Sequence, residues 1–422
     1  MSKKIFPIHT DTACLLKWSW STVFLNSGTT ASCHRTQRYP IDPDNFGEFH
    51  NLIEKQQARQ TMLDSKWPQA GCQYCQVVEE AGGLSDRQYQ LEQQQDPALT
   101  PPELNINPTS LSVTPTILEV YFTNTCNMAC VYCGPHFSSL WEDENRKHGN
   151  FFKDSKIDQY STALSQDNPN YKKMVADLWK YLADNNRYQA LRRYHILGGE
   201  PFLLRELDES IDFWEKYGNP DLVFSIITNL NIPTSRFQTY VDRFQSLVDN
   251  NKIWKFQITG SLDCWGPEQE YVRWGLNLDT WQRNFELLLD KPWVSLSINS
   301  AISALTIKKL PELIDKMNEW NSRRPDRDAI EFSFNYTMRE DDPLMFGAGV
   351  FENDFEQALA KLNTGTVLGQ GIHDTLSAIS TAISSQPRNV NKINTLKKYL
   401  THLDSRRGTE WQQTFPWLTK EF

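Results

Sequence analysis

Residues 123–136, TNTCNMACVYCGPH, carry three cysteines, Cys126, Cys130 and Cys133, within eight positions. A disulfide uses two thiols and a closed tetrahedral zinc site wants four ligands, so three point to a metal centre left one ligand short. Thiolates are soft ligands suited to iron–sulfur clusters or zinc. A cubane has four irons, and three cysteines leave one of them open to a small ligand. On the triplet alone two other readings stay open: a zinc site completed by a remote ligand such as His136, or buried thiols acting as small apolar residues.

The flanks set the triplet in a fold. ILEVYFT (117–123) runs into it as a short apolar stretch, and RYHIL (193–197), VFSIIT (223–228), KFQITGSLD (255–263), VSLSINSAI (294–302) and IEFSFNYT (330–337) repeat the pattern. Between them YKKMVADLWKYLADN, LRELDESIDFWEKYG, PTSRFQTYVDRFQSLVDN, LDTWQRNFELLLDK and IKKLPELIDKMNEWN place apolar residues at helical spacing. Strand–helix alternation predicts a parallel sheet covered by helices. Six such units make an α/β fold, a partial (β/α)6 TIM-type barrel short of the closed eight, with its chemistry at the C-terminal ends of the strands. The triplet lies at that end of the first strand. The second strand ends in HILGGEP, where Gly198 and Gly199 let backbone approach a ligand closely and Glu200 offers a carboxylate for an ammonium group.

Outside the barrel the pattern changes. Residues 1–95 hold four more cysteines and one helical-looking stretch, EFHNLIEKQQARQTML. QQQDPALTPPELNINPTSLSVTPT (93–116) is polar and proline-rich and reads as a linker. From about 350 onward DFEQALAKLN, TLSAISTAISS and NKINTLKKYLTHLDS read as helices only, and GQGIHD (369–374) as a loop between them. The resulting division is 1–95, a cysteine-rich module; 96–114, a linker; 115–345, the barrel; and 346–422, a C-terminal helical segment.

With 39% apolar and 23% charged residues the chain can build a large core. A net charge of −9 offers no basic field for nucleic acid. The N-terminal MSKKIFPIHTDTACLLKW has neither a long apolar run nor a small-residue cleavage site, so no signal peptide is expected, and no run of about 18 apolar residues predicts a membrane span. A cytoplasmic location follows as the expectation, and there clustered cysteines bind metal or do chemistry more often than they pair. No Walker loop, GxSxG elbow or HExxH stretch competes for the assignment.

CxxxCxxC after one strand and GGE after the next together resemble the radical S-adenosylmethionine (radical SAM) superfamily, over about residues 115–340. The resemblance implies a [4Fe–4S] cluster on Cys126, Cys130 and Cys133 whose fourth iron is chelated by S-adenosylmethionine (SAM). It further implies reductive cleavage of SAM to a 5′-deoxyadenosyl radical that abstracts hydrogen from substrate. Tyr132 matches the aromatic position that packs the adenine. Glu200 matches the residue that receives the methionine ammonium group, with Gly198 and Gly199 beside it. Thr228 and Asn229 sit where ribose and carboxylate contacts are usual, and Ser261 and Asn299 are further candidates that ordinary strand-end polarity would also explain.

Cys14, Cys33, Cys72 and Cys75 suffice for a fully ligated cubane or for a Cys₄ zinc site. A cysteine, a gap and then GxxxxC (Gly28 to Cys33), followed by GCQYC, resemble the SPASM/Twitch modules that carry auxiliary clusters. The resemblance thus implies a Twitch-like module with a second [4Fe–4S] cluster, with zinc as the alternative. Cys264, in SLDCWGPEQEYVRWG, reads either as a buried small residue or as a hydrogen donor to a substrate radical. Arg273 in the same stretch could hold a substrate anion or pair with Glu268 or Glu270.

The function expected from these readings is an oxidative radical SAM enzyme acting on a peptide or protein. The alternatives are a small-molecule substrate such as a sugar or nucleotide, and a non-catalytic redox sensor or scaffold. An electron donor such as flavodoxin or ferredoxin is the implied partner.

Overall fold

The computed structural model describes residues 10–69, 71–83, 85–88, 110–151, 168–324 and 329–420. Six strands follow the sequence pattern: β4 (Ile117–Tyr121), β5 (Arg193–Leu197), β6 (Asn219–Thr228), β7 (Ile253–Ser261), β8 (Val294–Ile302) and β9 (Glu331–Tyr336). Each pairs in parallel with the next. Helices Tyr171–Ala183, Arg205–Tyr217, Thr234–Asp249, Leu278–Glu286 and Leu310–Asn321 form the crossovers. Their apolar faces cover one side of the sheet, as where Phe244 stacks on Phe256 at 3.8 Å. The architecture is a partial TIM-type barrel, with the loops after β4 to β8 gathered at one end.

Three strands precede those read from the sequence. β1 (Trp20–Phe24), β2 (Thr29–Ala31) and β3 (Tyr39–Pro40) extend the same sheet, in the order β3-β2-β1-β4-β5-β6-β7-β8-β9. β1 runs parallel to β4, with Trp20 opposite Ile117 and Phe24 opposite Tyr121, while β2 and β3 fold back antiparallel. The buried Glu119 of β4 ties this seam: its Oε2 accepts from Thr22 Oγ1 at 2.6 Å and Trp20 Nε1 at 3.1 Å. β1 escaped the sequence reading because ACLLKWSWSTVFL breaks its apolar residues with Lys17, Ser19, Ser21 and Thr22 and sustains no single period over its length. Part of the cysteine-rich segment is therefore continuous with the barrel sheet. The proline-rich stretch 96–109 lies outside the described residues.

The C-terminal segment is helical, with Glu352–Ala360, Val367–Ser384 and Val390–Arg407. GQGIHD is a correction: it belongs to helix Val367–Ser384 rather than to a loop. The side chain of Thr366 caps that helix by accepting from Gly369 N, which satisfies an orphan donor of the first turn. Gly369 itself is required, because a Cβ there would lie 2.0 Å from Asn363 O. Helix Val390–Arg407 docks on the barrel through Tyr271 Oη, which donates to Asp404 Oδ1 at 2.8 Å. Among the described residues no helix is long and apolar enough to cross a membrane.

Candidate functional site

The turn after β5 is built against the cysteine loop. Gly198 and Gly199 have φ of +79° and +55°, a region costly for residues with a Cβ. A Cβ on Gly198 would meet the Tyr121 ring at 2.4 Å, and one on Gly199 would meet Thr125 O at 2.4 Å. Both glycines therefore allow backbone-to-loop contact, and Glu200 N closes it by donating to Thr125 O at 2.7 Å.

This contact drives the Glu200 side chain inward, where it is 0% exposed. Its Oε1 accepts from Thr228 Oγ1 at 2.7 Å and Phe202 N at 3.1 Å, and its Oε2 accepts from Asn229 N at 2.7 Å. A carboxylate has about four acceptor sites, and the three donors here are neutral. Burial pushes the carboxyl up to about 7 against those hydrogen bonds. A buried carboxylate with neutral donors and one lone pair to spare suits an ammonium group. Asn229 then bridges to the loop: its Nδ2 lies 2.9 Å from Asn127 Oδ1 and 3.8 Å from Cys126 Sγ. The structure thus joins Gly198, Gly199, Glu200, Thr228, Asn229 and Cys126 in one contiguous set.

The loop is held from several sides. Cys126 N donates to Ser139 Oγ, Ala129 N to Trp274 O and Val131 N to Val272 O. Helix Ser139–His148 starts directly behind it because Ser138 caps it, accepting from Trp141 N. Burial pushes the Cys130 thiol up to about 12 and also raises Cys126 and Cys133. The positive charge of Arg273 opposes that rise at Cys130 and Cys133, favouring the thiolate a metal needs.

Tyr132 donates its hydroxyl to Asp263 Oδ2 at 2.6 Å. Asp263, directly after β7, also takes both arms of Arg273, Nε to Oδ2 and Nη2 to Oδ1, each at 2.8 Å, and Ala301 N at 2.9 Å. Arg273 is thus structurally paired, with Asp263 and not with Glu268 or Glu270. Sequence reasoning missed Asp263; its one signal was its place two residues beyond Ser261 at a strand end. Ser261, at the end of β7, is the register partner of Asn299, three residues before the end of β8. Cys264 is fully buried with its Sγ 3.6 Å from Gln269 Oε1, and burial raises its thiol far above the usual range.

The N-terminal cysteines arrive on three segments. Cys14 precedes helix Leu15–Ser19, Cys33 follows β2, and Cys72 and Cys75 sit at the start of helix Gln73–Glu80. Cys14, Cys72 and the partly buried Cys33 share a small apolar cluster with Trp18, Met62 and Ile117. Their charges are felt mutually: burial and then Cys33 push Cys14 up to about 12, and Cys72 adds to the rise at Cys14, Cys33 and Cys75. Beside them Lys17, Lys55 and Arg59 are 5%, 2% and 0% exposed. The partners of Lys55 are hydroxyls and a carbonyl, and those of Arg59 are carbonyls, Asn51 and His50. Buried cations without carboxylates are costly, and an anionic thiolate-ligated centre nearby would offset them.

Residues 120–316 match the Radical SAM superfamily. The chain carries a radical SAM domain. Among solved structures it is similar to hexahistidine-tagged anSMEcpe with bound AdoMet (18% identity, TM-score 0.33, covering 58% of each chain). A second is native anSMEcpe with bound AdoMet and Kp18Cys peptide (17%, 0.32, 57% of each), and a third is TYW1 with a lysine–pyruvate adduct bound (18%, 0.27, 56% of this chain and 68% of that one). The chain therefore spans a little over half the length of the first two. No curated protein sequence matches it.

The matched family implies a [4Fe–4S] cluster and SAM, and the residues gathered here fit both. Among the described residues no three His, Cys, Asp or Glu side chains converge on a single metal position. Glu200 is a buried carboxylate with an acceptor site to spare, which could receive SAM's ammonium group.

Proposed function

We propose that the protein is a radical SAM enzyme that modifies a peptide or protein substrate oxidatively. The observation that carries the reading is the junction of the cysteine loop with the GGE turn, where Gly199 packs on Thr125 and Asn229 links Glu200 to Cys126. A redox sensor needs no buried carboxylate with a spare acceptor site beside its cluster.

Cys126, Cys130 and Cys133 would hold the SAM-binding cluster, and Cys14, Cys33, Cys72 and Cys75 a second [4Fe–4S] cluster. When bound, cluster and SAM supply a 5′-deoxyadenosyl radical able to abstract hydrogen. The chain's own residues bind and orient. Glu200 receives the ammonium group and Thr228 and Asn229 fix Glu200. Tyr132, with its hydroxyl held by Asp263, offers the aromatic face for adenine, while Ser261 and Asn299 pair on the neighbouring strands. The second centre supports net oxidation, because an acceptor for the electron left on the substrate radical lies within the same chain. The auxiliary cysteines also support the peptide class, the commonest task of enzymes with such modules that this sequence resembles.

Anaerobic reconstitution tests this. Wild type should carry about eight irons, and Cys→Ala changes at 126, 130 and 133 should leave about four and abolish 5′-deoxyadenosine formation under dithionite. Cys→Ala changes at 14, 33, 72 and 75 should also leave about four irons but retain SAM cleavage. Wild type that makes no deoxyadenosine sinks the enzyme reading. Zinc in place of the second four irons reduces the N-terminal centre to a structural clip. Stimulation of deoxyadenosine formation by sugar or nucleotide pools, and not by peptide pools, moves the substrate to a small molecule.

A further inference from the structure

Four consecutive carbonyls of the cysteine loop accept hydrogen bonds from side chains outside it. Trp141 Nε1 donates to Cys130 O at 2.8 Å. Tyr399 Oη donates to Val131 O at 2.9 Å, across 268 residues of sequence. Arg339 Nη1 donates to Tyr132 O at 3.1 Å and to Cys133 O at 2.7 Å. Trp141 belongs to the helix that follows the loop, but Arg339 comes from beyond β9 and Tyr399 from the last long helix.

We infer that Arg339 and Tyr399 are positioning residues for the cluster, making the C-terminal helix a structural part of the SAM site. The inference rests on the reading of Cys126, Cys130 and Cys133 as cluster ligands. A peptide unit is planar, so a carbonyl fixed on one side of the loop turns the following N–H to the other. The bonds to Val131 O and Cys133 O thereby orient the N–H groups of Tyr132 and Gly134, which flank the third cysteine. Backbone hydrogen bonds near thiolate sulfurs set both the reduction potential and the durability of such a cluster. Arg339 adds a positive charge beside Cys133, which favours the reduced, more negative cluster.

The helix that supplies Tyr399 is itself locked to the loop's own helix. Arg407 Nε and Nη2 grip Glu144 at 2.8 and 2.9 Å, and its guanidinium lies over the rings of Trp141 and Trp274. Arg406 Nη1 reaches Asn145 Oδ1 at 3.1 Å. A shift of the C-terminal helix would therefore move Trp141 and Tyr399 together, and with them the carbonyls of Cys130 and Val131.

The test uses the reconstituted full-length protein with Tyr399→Phe, Arg339→Gln and, as a control on the exposed side of the same helix, Asn394→Ala. EPR-monitored reductive titration reads the potential of the SAM-binding cluster, and iron release in air reads its durability. Tyr399→Phe should lose iron roughly fivefold faster, the equilibrium weight of one buried hydrogen bond. Arg339→Gln should lose it faster still and lower the potential, and Asn394→Ala should match wild type. Identical potentials and iron loss in all four proteins would overturn the inference. Tyr399→Phe removes a single oxygen, so it decides the matter even if Arg339→Gln does not fold. The cysteine reading fails separately: the Cys→Ala variant at 126, 130 and 133 would then hold as much iron as wild type, and the positioning role would fall with it.

Discussion

Seven of the eight cysteines form two groups built in opposite ways. Cys126, Cys130 and Cys133 lie on one loop whose spacing is written in eight residues, and the fold clamps that loop from β5, from the loop after β9 and from the last long helix. Cys14, Cys33, Cys72 and Cys75 lie on three separate segments, of which Cys14, Cys33 and Cys72 meet in an apolar nest beside buried cations. The first group is a local motif placed at the active end of a barrel, whereas the second exists only after the chain has folded. A local loop can leave one coordination position open, because its geometry is held by neighbours that are not ligands. A site assembled from distant segments gains from full ligation, since each metal–thiolate bond then ties one segment to another.

Removing whole sets of the proposed ligands gives the largest expected effects. Alanines at Cys126, Cys130 and Cys133 should cut deoxyadenosine formation to background while leaving the thermal unfolding midpoint close to wild type. Alanines at Cys14, Cys33, Cys72 and Cys75 should do the reverse, keeping SAM cleavage and lowering the midpoint by several degrees. If both sets lower the midpoint equally, the contrast between a clamped loop and a ligand-tied nest is wrong.

Asp263→Ala comes next. It strands the buried Arg273 and frees the Tyr132 hydroxyl, a loss of about 3–5 kcal/mol in urea unfolding. Gly199→Ala should cost roughly 1–3 kcal/mol from its left-handed backbone and the contact with Thr125 O. Its signature is weakened SAM binding in equilibrium dialysis with the iron content unchanged; loss of iron instead would place the glycine's role in the loop itself.

A pH effect separates burial from ligation. Asp341 is 1% exposed, both its carboxylate oxygens lack a hydrogen-bond partner among the described residues, and burial pushes it from 3.8 to about 7. With the folded-state value raised, the stability present while Asp341 is protonated is lost as pH rises towards 7. Asp341→Asn should therefore melt higher than wild type at pH 8, with the gap narrowing as pH falls below about 7 and closing only at about pH 4, the value of the unfolded carboxyl. A constant gap would mean that the side chain is not titrating. Smallest of all, Arg243→Ala breaks pairs to Asp208, Asp212 and Glu215 on the helical surface. It should cost under about 1 kcal/mol and leave the iron content unchanged.

Much of this site was legible before folding. The six strands β4 to β9 and their crossover helices followed from periodicity, because strands and helices covering a parallel sheet carry their burial in local patterns. The cysteine triplet and the GGE turn were legible for the same reason: each packs its requirement into a few adjacent residues. Asp263, Arg339 and Tyr399 were not. Each is an ordinary polar residue whose partner lies 131 to 268 residues from it in the chain or on another element, and nothing in a local window marks it. β1 was hidden by a stretch of mixed apolar and polar residues with no sustained period, and the helix over GQGIHD by two glycines that read as breakers, although one of them is needed where Asn363 O crosses the helix start.

The parallel α/β architecture, the three-thiol loop and the glutamate beside it were legible in the order of residues alone, since each is specified within reach of one turn or one strand. Folding in three dimensions was needed to join the N-terminal strand to the barrel sheet and to bring Cys14, Cys33 and Cys72 together beside buried cations. It was needed also to give Arg273 to Asp263 and to carry the last helix back to hold the loop. Those outcomes depend on register and on hydrogen bonds between segments far apart in the chain, and their geometry is fixed only once the helices have packed on the sheet.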